Sequence, residues 1–256
     1  SIRQASIQRK PEFESINTYC MFIGYPRSGH SLIGSLLDAH PNMVIAHEVD
    51  ALRCLAAGFT RSMIYHMLLE NSREFTESGR EWNGYTYNVP NQWHGRYRQL
   101  QVIGDKKGGR SSVQLLRQPE LLAQLQRKVQ VPMRFVHVMR NPYDNITTFS
   151  RKHALELREA IDAYFAMTQS VLRIKQQMGD AAVFDLRQED FIARPQAKLK
   201  LLCSFLGQET TQEYLDDCAS IVFKQPRKSR TDGEWTAELI ELVRKGIGAV
   251  PFLHSY

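Results

Sequence analysis

The residues best suited to chemistry begin in the stretch Tyr19 to Ser31, where Gly24-x-x-x-x-Gly29-His30-Ser31 follows a short apolar run. The run Tyr19–Ile23 predicts a buried strand, and Leu32, Ile33, Leu36 and Leu37 then recur at helical spacing. Strand, glycine-containing loop and helix form a phosphate cradle, because N–H groups at the helix start face the anion and the helix dipole favours negative charge there. The glycine and serine spacing is that of a Walker A loop, but His30 stands where that motif has its lysine. An imidazole is a poor substitute for a lysine that reaches the terminal phosphates of a nucleoside triphosphate. Arg27 supplies a cation instead, and a guanidinium grips phosphate bidentately. Arg27, Ser28, Gly29, His30 and Ser31 are therefore candidate anion ligands, suited to phosphate rather than to ATP hydrolysis. A second anion grip is legible at Arg140, just after the β-rich run Met133–Met139, with the Thr148 hydroxyl on the helix that follows. Between these groups, His47-Glu48 directly follows a short apolar run, and Lys106-Lys107 follow another.

These groups need elements to position them. Apolar runs predict strands at 19–23, 43–46, 100–103, 133–139 and 181–186, and helical periodicity covers 51–57, 61–75, 111–129, 143–152, 157–178, 197–206, 211–222 and 236–245. Strands that alternate with helices imply a parallel sheet covered on both faces. The expected fold is α/β: one P-loop-like domain over 1–256, with a central parallel sheet of about five strands and helices on both faces. His47-Glu48 and Lys106 fall at the carboxyl ends of strands, the edge where open α/β sheets bind ligands. Residues 1–17 read as a polar arm. Residues 77–98 hold Trp82, Tyr85, Tyr87, Trp93 and Tyr97 among Gly, Asn and Pro, an irregular insertion expected to serve as an acceptor lid or binding loop.

The bulk numbers narrow the class. A hydrophobic fraction of 43% and a charged fraction of 23% over 256 residues describe a globular chain with a large core. A formal net charge of +6 suits an anionic ligand. The basic residues are spread along the chain with no lysine tract, so nucleic acid is not an expected partner. Cys20, Cys54, Cys203 and Cys218 show no CxxC spacing and read as buried free thiols of a reducing compartment. No apolar run approaches a bilayer span, and Ser1–Asn17 has no signal-peptide core; a cytoplasmic protein without a membrane partner is expected. No histidine, cysteine or carboxylate spacing forms a metal motif. No Gly-x-Ser-x-Gly elbow supports hydrolase chemistry.

The wording Pro26-Arg-Ser-Gly-His-Ser31, followed by Leu36-Leu-Asp-Ala-His-Pro41, resembles the 5′-phosphosulfate loop of sulfotransferases that use 3′-phosphoadenosine 5′-phosphosulfate (PAPS). The nearest wording is that of tyrosylprotein sulfotransferases and related bacterial enzymes. His30 stands where that loop usually has threonine. The resemblance runs from about Tyr19 to Phe205 and implies sulfuryl transfer from PAPS to a hydroxyl or amine, leaving adenosine 3′,5′-bisphosphate (PAP), with no metal. It implies that Arg140 and Thr148 hold the 3′-phosphate, since the family carries an Arg-x7-Ser pattern here. It implies that the basic loop Arg227, Lys228, Ser229 and Arg230 closes over that phosphate and the adenine, with Ser229 in place of a glycine. Glu48 falls where the tyrosylprotein enzymes have their catalytic glutamate, which implies that it is the general base of an in-line displacement, and His47 is its neighbour, a histidine being the base in the phenol-type enzymes. Lys106 falls at the position of the catalytic lysine, with Lys107 adjacent, and Arg27 is the second cation for the leaving oxygen. The acceptor class stays open among small molecules, glycans and peptides. The alternative is a P-loop nucleotide kinase or NTPase with a degenerate Walker A loop; it lacks the loop lysine and a strand-end aspartate for magnesium. The sulfotransferase reading requires Arg27 and Arg140 to share one pocket.

Overall fold

The computed structural model describes residues 1–256. Seven strands form, β1 (Thr18–Gly24), β2 (Met43–His47), β3 (Glu81–Trp82), β4 (Tyr85–Thr86), β5 (Val102–Lys106), β6 (Met133–Met139) and β7 (Val183–Arg187). Five of them make one sheet in the order β2-β5-β1-β6-β7, and every pairing in it is parallel. The glycine loop therefore leaves the central strand, Lys106 ends one neighbouring strand, and Arg140 follows the other.

Twelve α-helices accompany the sheet: α1 (Ile2–Gln8), α2 (His30–Asp38), α3 (Ala51–Ala56), α4 (Arg61–Glu77), α5 (Gly109–Arg117), α6 (Glu120–Val129), α7 (Pro142–His153), α8 (Leu157–Met178), α9 (Gln188–Ala193), α10 (Pro195–Phe205), α11 (Gln212–Ser220) and α12 (Ala237–Gly248). Side-chain alternation along the strands divides the core in two. Tyr19, Met21, Ile23, Ile103 and Phe135 face α3, α4, α6 and α8. Cys20, Phe22, Val102, Val136 and Val138 face α2, α10 and α11. Burial on both faces explains why these strands read as unbroken apolar runs.

Three expectations need adjustment. The polar arm 1–17 is more tightly held than its composition suggests: α1 and the turn after it lie on α4, Phe13 and Ile16 are buried in the core, and Arg9 pairs with Glu70 at 2.7 Å. The continuous helix 111–129 is two helices, because Pro119 disfavours helical backbone at Gln118. The strand expected at 100–103 runs on through Lys106, so the lysine belongs to the strand itself.

Candidate active site

A cavity of about 930 Å³ opens at the carboxyl edge of the sheet, and both Arg27 and Arg140 line it. The loop supplies Arg27, Gly29, His30 and Ser31, and no side chain caps the first turn of α2 behind them. Its backbone is strained: Arg27 has φ 66°, in the left-handed region that non-glycine residues seldom occupy. The Arg27 Nε is buried and finds no partner within the chain.

Arg140 is 6% exposed and has no carboxylate within ion-pair distance. Its Nη1 donates to Thr148 Oγ1 at 3.2 Å and to the Arg27 carbonyl at 3.5 Å. Its Nη2 donates to Ser229 Oγ at 2.9 Å and to the Arg227 carbonyl. Burial pulls its affinity for the proton down, and only more distant Asp144 and Glu189 oppose that. The guanidinium is thus aimed and desolvated with its charge unmatched. Ser229 is one of the groups that aim it.

The third corner is a cluster of charges. Glu48 also has left-handed backbone, with φ 67°. Its Oε1 accepts from Lys106 Nζ at 2.6 Å, and its Oε2 lies 2.7 Å from Lys107 Nζ. Burial pushes the Glu48 carboxyl up, but the two ammoniums outweigh it and hold it at about 2. Lys106 is 1% exposed and also donates to Ser31 Oγ at 3.1 Å. Burial brings the Lys106 ammonium down to about 8, against the pull of Glu48. Its stem passes α2 at Gly34, where a Cβ would come 2.9 Å from Lys106 Cγ. That close approach is open only to glycine.

A model of the Sulfotransferase family matches residues 21–212. The chain belongs to the sulfotransferase family. Its fold is shared with the sulfotransferase domain of the Synechococcus PCC 7002 olefin synthase, at 15% identity and TM-score 0.55 over 91% of this chain and 95% of that one. The sulfotransferase domain from the curacin biosynthetic pathway is similar at 14% identity and TM-score 0.57, over 91% of this chain and 98% of that one. A mouse sulfotransferase, SULT7A1, complexed with PAP is similar at 12% identity and TM-score 0.51, over 93% and 87%. No curated protein matches the sequence.

The sulfotransferase does not bring every candidate to its cavity. His47 lies behind it, its ring stacked on Phe75 at 4.1 Å and edge-on to Trp82 at 5.0 Å. Its ring belongs to the wall and not to the lining, and burial and then Lys106 hold the imidazole at about 3. Ser28 turns its hydroxyl inward to the Tyr25 carbonyl at 3.0 Å. Arg230 is drawn off by Asp144, at 3.3 Å, and Lys228 stays outside the cavity in solvent. Arg227 and Ser229 alone of that loop reach the cavity lining. No three His, Cys, Asp or Glu side chains converge where a metal ion would sit, and no helix is long and apolar enough to cross a membrane.

The irregular insertion contributes the two-residue strands β3 and β4, paired antiparallel, with Trp82, Asn83, Tyr85 and Tyr87 on the cavity. Its root is a buried polar cluster invisible to local sequence patterns. Arg80, 1% exposed, donates to Asp38 at 2.8 Å and to Ser35 at 2.9 Å. Asp38 also accepts from Ser72 at 2.7 Å and from the Ile45 N–H at 2.8 Å. The hairpin closes where the Tyr87 N–H meets the Arg80 carbonyl at 3.0 Å. The only hint in the sequence was an arginine flanking aromatic residues; of its partners, Asp38 and Ser35 lie 42 and 45 residues before it in the chain.

Proposed function

We propose that this sulfotransferase moves the sulfuryl group of PAPS onto a hydroxyl or amine of an acceptor seated beside the β3–β4 hairpin. The observation that carries the reading is the shared cavity of two unmatched cations, Arg27 with its partnerless Nε and Arg140 with no carboxylate in contact. A nucleotide with phosphate on both its 5′ and 3′ positions satisfies two such sites at once. PAPS supplies an activated sulfuryl group whose leaving group is a phosphate oxygen.

Arg27 and the uncapped start of α2 hold the 5′ side, where aligned N–H groups favour negative charge. Arg140, Thr148 and Ser229 hold the 3′-phosphate, and Arg227 lies over it. Lys106, fixed between Ser31 and Glu48, stabilises the negative charge that grows on the leaving oxygen. By analogy with loose phosphoryl transfer, positioning and charge carry most of the work. The acceptor's proton leaves at the corner that holds Glu48, which stays a carboxylate across the working range. The walls of that corner are Trp82, Tyr85, Tyr87 and Phe223, which suit an acceptor with a ring or an apolar face, whether small molecule, glycan or peptide.

Calorimetry with PAP in the absence of magnesium tests the reading. Binding in the micromolar range or tighter is expected, together with transfer of label from sulfur-labelled PAPS in an acceptor screen. Failure of PAP to bind, or binding only with magnesium and a nucleoside triphosphate, overturns it.

A further inference from the structure

One side chain of the cavity has no part in the scheme so far. His30 is the first residue of α2, is 9% exposed and lines the cavity. Its Nδ1 lies 3.1 Å from the Tyr25 carbonyl oxygen and 3.3 Å from the Ser28 hydroxyl, which gives its own hydrogen to that same carbonyl at 3.0 Å. A carbonyl only accepts, so Nδ1 carries the hydrogen and donates it. The neutral ring then has its lone pair on Nε2. That atom lies 3.9 Å from Glu48 Oε1, too far for a hydrogen bond but near enough for charge to be felt. The loop that follows β5 is shaped around the ring: Gly108 has φ 45°, and a Cβ there would come 2.9 Å from His30 Cε1. The imidazole is therefore held in one tautomer and one place by groups on both sides.

Glu48 is badly placed to receive a proton itself. Each of its oxygens is engaged by a different ammonium, Lys106 and Lys107. A carboxylate so clamped favours staying charged. It is well placed, however, to stabilise a positive charge on the neighbouring imidazole.

We propose that His30 Nε2 is the atom that takes the acceptor's proton, with Glu48 as the carboxylate that stabilises the resulting imidazolium. This rests on the sulfuryl-transfer reading of the cavity. In the step, the acceptor O–H bond breaks and its proton joins Nε2 as the acceptor oxygen bonds to sulfur. The bond from sulfur to the phosphate oxygen breaks, its electron pair stays on that oxygen, and the proton later passes from His30 to solvent. The charged groups around the ring are Lys106, Arg27 and Glu48. In the free protein, burial and then Lys106 hold the imidazole at about 3, with Glu48 and the Tyr25 carbonyl opposing. The anionic donor offsets Lys106 and Arg27, so its binding makes the ring more basic just when a base is required.

The test has two arms. The first is the imidazole ¹⁵N spectrum of the free protein, with the His30 signals assigned by their loss in His30→Asn. A pyrrole-type Nδ1 and a pyridine-type Nε2 at neutral pH are expected; the opposite tautomer, or an imidazolium, overturns the proposal. The second arm follows PAP release from PAPS with water as acceptor, so no particular acceptor is needed. His30→Asn should slow that release on the order of 10²-fold, while PAP affinity stays within about threefold, a change under 1 kcal/mol. Exogenous imidazole should restore part of the rate in His30→Gly. A variant that turns over like wild type, or one that loses PAP affinity in step with its rate, refutes the base role. Failure of the wild type to bind PAP would instead refute the donor assignment.

Discussion

Replacing Arg140 by alanine isolates the second anion grip. The guanidinium is desolvated, is aimed by Thr148, Ser229 and two carbonyls, and meets no carboxylate. A hydrogen bond to a charged group contributes about 1.5–3 kcal/mol. Two such bonds to a phosphate, one from the Nε–H and one from an Nη–H turned off a hydroxyl, less the internal bond given up, come to about 3 kcal/mol, or roughly 150-fold in Kd. The same substitution should leave the free protein stable to within about 1 kcal/mol, since the loss of hydrogen bonds is offset by removal of an unmatched buried charge. The two effects separate in a thermal shift experiment. With PAP at 100 times its wild-type Kd, the wild type gains about 2.7 kcal/mol and the variant only about 0.3 kcal/mol. Arg140→Lys keeps the charge but not the planar fork, so it should fall between them. Calorimetry supplies the affinities directly. A folded Arg140→Ala protein that binds PAP within threefold of wild type would show that the 3′-phosphate lies elsewhere and would undo the two-grip argument.

Other outcomes follow from the same geometry. Lys106→Ala should lower turnover on the order of 10²-fold or more with PAP affinity nearly kept, and Lys107→Ala should cost less than tenfold; the reverse order in single-turnover assays would move the role by one residue. Because Lys106 is held at about 8, kcat/KM for PAPS should fall as pH rises through that value and the ammonium is lost. Lys106→Arg, which keeps its proton throughout, should abolish that falling limb, and its persistence would assign it to another group. Arg80→Met leaves Asp38 charged and buried without its partner, which should destabilise the fold by about 3–5 kcal/mol; a urea midpoint close to wild type would show that the cluster is dispensable.

The chain announces its scaffold through runs that must be buried. Tyr19–Ile23 and Met133–Met139 carry side chains into core on both faces of the sheet, so apolar character alone located them. Arg27 and Arg140 were legible because each stands where a strand gives way to a helix, and the topology takes both to one edge. Lys106 was read at the end of its strand, but the polar letters after Ile103 gave no sign that the strand continues and buries the ammonium against Ser31 and Glu48. His47 and Glu48 are adjacent, yet His47 closes β2 while Glu48 turns into left-handed backbone, so one side chain meets the wall and the other the cavity. Phe13 and Ile16 are too few among their polar neighbours to show a period, and so their place in the core was not legible. Arg80 and Asp38, like the tautomer of His30, depend on partners that only the folded chain assembles.

The β3–β4 hairpin has strands of two residues each and no core of its own. None of the groups assigned to the donor nucleotide lies within it. On the proposed reading, acceptor choice and donor grip are therefore written in separate parts of the chain. On that same reading, a library confined to residues 81–87, built between an unaltered Arg80 and an unaltered Val89, should change which molecules are sulfated while leaving the nucleotide chassis intact.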